Sequence, residues 1–70
     1  LEQMQVAREN YRLAQQVLET DRLRLREGQI TTAELRNSEY ALATAQNNLL
    51  TQYYNVLVAR LTLQKALAAL

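Results

Sequence analysis

The sequence predicts an all-α chain folded as an antiparallel two-helix coiled-coil hairpin, with helices over about residues 1–27 and 32–69 and a turn at 28–31. Three observations carry that prediction. Ala, Leu, Gln, Glu and Arg dominate the chain, and all are good helix formers. Large apolar residues recur every seven positions in both halves. A single glycine, followed at once by a helix-start signal, interrupts a chain that has no proline.

The first helix carries Met4, Tyr11, Leu18 and Leu25 at sevenfold spacing. Three residues after each stand Ala7, Ala14, Asp21 and Gly28, which are mostly small. Such a large/small stripe is of coiled-coil type: small layers let two backbones approach while large side chains fill the space between them. Arg22, Arg24 and Arg26 fall in the last turns, where positive charge suits a helix C-terminus.

The break follows. Gly28 tolerates the left-handed conformation that ends many helices. In "TTAE", Thr31 then serves as an N-cap with Glu34 three residues on, the spacing of a capping box. Stop, short loop and start make a helical hairpin corner. The competing arrangement is one continuous helix with Gly28 inside it, at a cost of only about 1 kcal/mol. The adjacent capping signal favours the turn.

The second helix repeats the stripe as Leu35, Leu42, Leu49, Val56, Leu63 and Leu70, six large aliphatics at strict spacing. Ser38, Ala45, Gln52, Ala59 and Ala66 follow three residues later. The arms are unequal, roughly 40 Å against roughly 57 Å at 1.5 Å per residue, so the last turns of the second helix lack a partner in this chain. Apolar residues also lie off the seam: Val6, Leu13 and Val17 in the first helix, and Tyr40, Leu50, Tyr53, Tyr54, Leu57 and Leu61 in the second. The run "YALATAQNNLLTQYYNVLVA", Tyr40 to Ala59, holds no charge over 20 positions. Asn and Gln there avoid the desolvation penalty of ions. The second helix is therefore expected to be flanked by helices on two sides, either as part of a bundle core or as a stave in a helical barrel.

Composition excludes several function classes. There is no Cys and no His, so a disulfide, a Cys/His metal site and a His-based triad are impossible. Nothing resembles a nucleophile–base pair, and neither an enzyme nor a cofactor is expected. Net charge is +1. Arg8, Arg12, Arg22, Arg24 and Arg26 are matched by Glu2, Glu9, Glu19, Asp21 and Glu27, which argues against nucleic acid as a partner. Gln46, Asn47, Asn48, Gln52 and Asn55 make the charge-free run too polar for a hydrocarbon core, so no direct membrane contact is expected. The chain opens on Leu1 and reads as a piece of a longer protein, one that self-associates when isolated.

The ordered segments "ARENYRLAQQ" and "RLREGQITTAELRNSEYALATAQNNLLTQYYNVLVARLTLQKAL" resemble the outer-membrane efflux protein family, the TolC-like channels. The resemblance rests on Gly28, Thr31, Glu34-Leu35, Ala45-Gln46, Tyr54-Asn55 and the Leu63 to Leu67 end, and covers nearly the whole chain. It implies a trimeric channel with a β-barrel in the outer membrane and a helical tunnel through the periplasm. This segment would be a hairpin end of the second repeat. Gly28, Gln29, Ile30, Thr31 and Thr32 would form the tip that meets the hairpins of a periplasmic adaptor (membrane fusion) protein. Neighbouring hairpins of the homotrimer would be the lateral partners. Glu34 falls where the family often places an acidic residue near the tunnel constriction, and it also fits the capping box. The family's second acidic position is Asn37 here, which weakens an acidic ring at the gate. The three arginines before Gly28 would be solvated, or would pair with a neighbouring hairpin.

Two other functions compete. An adaptor hairpin has an Arg, a Leu four residues later and a small hydroxyl residue seven after that. With Thr32 in the hydroxyl place, Leu25 fits the Leu place but Asp21 takes the Arg place. With Thr31, Arg24 and Thr20 stand there instead, so neither frame matches. A purely structural coiled coil should carry charges beside its seam, which the Tyr40 to Ala59 run lacks.

Overall fold

A computed structural model, describing residues 2–70, has two helices: α1, Glu2–Arg26, and α2, Thr32–Ala68. They pack antiparallel into a rod of 64 × 17 × 12 Å. The helices end one residue earlier than the sequence predicts, at 26 and 68. Residue 1, where the first was expected to begin, lies outside the described residues.

The seam follows the sevenfold pattern closely. Met4, Ala7 and Leu18 are buried on α1, and Ser38 and Ala45 on α2. Tyr11, Ala14, Asp21, Leu25, Leu35, Leu42, Leu49, Gln52 and Val56 are half-buried. One contact fixes the register. The Ser38 hydroxyl donates to the Asp21 carboxylate across the helix pair. Counting outward from that layer places Leu18 beside Leu42, Ala14 opposite Ala45, and Ala7 beside Gln52, and shared grooves confirm the first and last of these. Large therefore meets large, and small meets small or polar. The spacing is three then four residues up one helix and four then three down the other. The Asp21–Ser38 layer is polar inside an otherwise apolar seam. Arg24 stands 3.9 Å from the same carboxylate, so the charge is partnered on both sides rather than left bare.

Leu63 and Leu70 carry the pattern but not the burial. The seam stops at Val56, whose layer faces Met4 near the N-terminal end of α1. Beyond it α2 continues alone, and Leu63 is 61% exposed. The reason is length: α1 has 25 residues and α2 has 37.

Two further ties hold α1. Glu9 and Arg12 pair through both carboxylate oxygens on its charged side. The guanidinium bond lowers the Glu9 carboxyl below its ordinary range. Across the helices, Arg8 Nε donates to the Tyr53 hydroxyl at 3.3 Å, and its guanidinium carbon lies 5.6 Å from the ring centroid, within cation–π range.

The seam assignment makes a sharp contrast. Leu18→Ala should destabilise the hairpin by about 2–4 kcal/mol, most of what a chain of this size has. Leu63→Ala should shift stability by no more than about 0.5 kcal/mol. Urea unfolding followed by circular dichroism measures both, and equal effects would remove the register described above.

Candidate functional site: the hairpin corner and its flanks

The corner is built by two linked capping motifs. Gly28 has φ +76°, the left-handed region. Its N–H bonds to the Leu25 carbonyl at 3.0 Å, and the Gln29 N–H reaches the Arg24 carbonyl at 2.8 Å. That pair of bonds is a Schellman motif, which satisfies carbonyls that the end of α1 would otherwise leave without donors. Nothing lies within 4 Å of the place a Cβ would occupy on Gly28. Glycine is needed there for its backbone conformation and not for space.

Three residues later the chain restarts. Thr31 is extended at φ −90°, ψ 163°, and its Oγ1 accepts from the Glu34 N–H at 3.2 Å. The Leu35 N–H closes the first α2 bond on the Thr31 carbonyl at 3.1 Å. Of the two bonds in a capping box, this is the one formed among the described residues. The Glu34 side chain stays exposed.

The five residues expected at the tip are thus brought together. Gly28, Gln29, Thr31 and Thr32 are exposed, and Ile30 is half-buried. Gln29 Nε2 donates to the Glu27 carboxylate at 3.1 Å, so the tip presents amide, hydroxyl and carboxylate groups around one apolar side chain. Glu34 and Asn37 lie one turn apart on α2, both exposed and close enough to act on one neighbour. Arg24 and Arg26 stand in the last turn of α1, and Arg22, one turn earlier, shares a groove with Leu18, Glu39 and Leu42. Among the described residues no cluster of carboxylates suited to a metal occurs. No helix there is long and apolar enough to cross a membrane.

The flanks carry the larger surfaces. Val6 lines a groove with Asn48 and Gln52, which puts the α1 stripe of Val6, Leu13 and Val17 on one face of the rod. α2 contributes Asn48 and Gln52 to that groove, with Val58 exposed further along the helix. Arg8 meets Tyr53 on the opposite face, where Leu18 and Arg22 share a groove with Ala43 and Gln46. The α2 stripe of Leu50, Tyr54, Leu57 and Leu61 turns to that side, by helical spacing from Ala43. All seven side chains of the two stripes are exposed. The two grooves beside the seam thus set Val6 of α1 against amides of α2 on one face, and Arg22 of α1 against Ala43 and Gln46 of α2 on the other.

Sequence reasoning did not find the Arg8–Tyr53 tie or the Asp21–Ser38 bond. Only the unusual Asp at a small seam position signalled the second.

The class of molecule is an all-α, antiparallel coiled-coil hairpin with a glycine corner. No protein-family model, no curated protein and no solved structure matches the chain.

The corner predicts a graded response. Gly28→Ala should cost about 1–2 kcal/mol, since an L-residue resists left-handed φ. Gly28→Asn should cost less, because Asn visits that region more readily. Thermal unfolding of the two variants measures the order. Alanine as good as glycine would mean that the corner does not hold positive φ.

Proposed function

We propose that this hairpin is the periplasmic coiled-coil tip of a trimeric outer-membrane efflux channel. In this reading it docks the hairpins of a periplasmic adaptor protein and takes part in closing and opening the tunnel. The observation that carries the reading is the placement of the two apolar strips on opposite faces. A helix pair inside a bundle needs one buried side. A stave in a cylinder needs a neighbour on each side, and here Val6, Leu13 and Val17 look one way while Leu50, Tyr54 and Leu57 look the other. The exposed corner and the resemblance of the chain to the efflux family support the same assignment.

The mechanism is mechanical, and no catalytic step or cofactor is part of it. Adaptor hairpins would pack against Gly28 to Thr32. They would favour an open, splayed arrangement only by binding it more tightly than the closed one. Glu34 and Asn37, on the first turns of α2, would face the constriction. With a neutral amide at 37, the ring of charge there is carried by Glu34 alone.

Photo-crosslinking from position 29 in the full-length parent, in cells, tests the assignment. Capture of a periplasmic adaptor is the expected result. Capture of an outer-membrane channel would make this chain the adaptor's hairpin instead. Capture of neither would leave a purely structural coiled coil.

A further inference from the structure

The α2 strip repeats with a sevenfold period of its own. Tyr40, Asn47, Tyr54 and Leu61 stand seven apart, and so do Ala43, Leu50, Leu57 and Gln64. This is a second seam, displaced around the helix from the one that binds α1. It is exposed along its length, with Leu57 at 55% and Tyr54 at 66%.

Its order is self-complementary. When two α2 helices run antiparallel with a two-fold axis between Asn55 and Val56, Leu50 faces the second copy's Leu61, and Tyr54 faces its Leu57. In the same register Asn47 faces Gln64, and Ala43 faces Ala68. Apolar meets apolar, amide meets amide and small meets small in every layer. A one-heptad slip to either side breaks that match. Slipping one way sets Leu57 against Asn47, and slipping the other sets Leu50 against Ala68. An in-register parallel pair would also match residues, but it would align the two helix dipoles, which the antiparallel pair sets against each other.

The antiparallel contact runs from Ala43 to Ala68, about 39 Å at 1.5 Å per residue. Leu50, Tyr54, Leu57 and Leu61 lie at its centre, each at least half exposed in the lone hairpin, so covering them is the main gain of the contact. No charge lies in the strip between Tyr40 and Ala59 to oppose its desolvation.

We infer that this face of α2 binds a second copy of the chain, antiparallel and two-fold symmetric, leaving each hairpin intact. The inference does not rest on the channel reading. It concerns the 70-residue chain by itself, so its failure and that of the channel assignment are separate results.

Sedimentation equilibrium of the 70-residue chain should give a dimer that dissociates on dilution. Leu57→Glu should weaken dimerisation at least ~10-fold with helicity retained, because Leu57 does not touch the α1 seam. Val17→Glu, on the opposite face, should leave the dimer unchanged. The chain has no Cys, so introduced thiols report the register. A mixture of Asn47→Cys and Gln64→Cys chains should form the mixed disulfide in preference to either homodisulfide. A chain that stays monomeric at all concentrations overturns the inference. So does a dimer indifferent to Leu57→Glu, or one that cross-links preferentially Asn47→Cys to Asn47→Cys.

Discussion

Everything in this hairpin depends on two sevenfold stripes that mirror each other about one corner. The large positions of α1 and α2 lie at matching distances on either side of the turn, as do the small ones. Folding back at Gly28 brings Leu25 to Leu35 and Leu18 to Leu42 without any shift. The chain from 27 to 31 is therefore a spacer of fixed length as well as a connector. One residue more or less would rotate α2 by about 100° and turn its seam away from α1. The Asp21–Ser38 bond adds a chemical check to this geometric one. It is satisfied in one register, and a slipped register would leave the carboxylate facing apolar neighbours.

The seam occupies only one strip of each helix, and the remaining surface decides what the molecule is for. A solitary hairpin would make that surface uniformly polar. This one sets Val6 of α1 against amides of α2 in one groove, and Arg22 of α1 against Ala43 and Gln46 of α2 in the other. The tip, by contrast, is small and polar, with Ile30 as its one apolar feature. In the proposed assignment the flanks would meet neighbouring hairpins and the corner a separate partner.

Much of this was legible in the amino-acid order. The stripe from Met4 to Val56 reads directly as the seam, because side chains of one period must share one face. Gly28 reads as a helix stop and Thr31 as a start, because each solves a local hydrogen-bonding problem that does not need the rest of the chain. Leu63 and Leu70 show where that reasoning stops. Their pattern is as regular as the rest, but burial needs a partner, and α1 does not extend that far beside α2. The Arg8–Tyr53 tie was hidden for a related reason. The two residues are 45 positions apart, and nothing local in either half announces the other. The side of the rod on which each apolar strip falls depends on the hand of the turn between the helices, which a linear pattern does not carry.

The central claim is that one chain folds back on itself at Gly28. Spin labels at Gln15 and Gln46, exposed positions flanking the Leu18–Leu42 layer, test it by pulsed electron resonance after dilution into unlabelled chain. A folded-back hairpin gives a separation under about 20 Å, the span of two adjacent helices with their labels. A continuous helix gives about 46 Å, 31 residues at 1.5 Å each, and that longer distance would contradict the fold on which the proposed function stands.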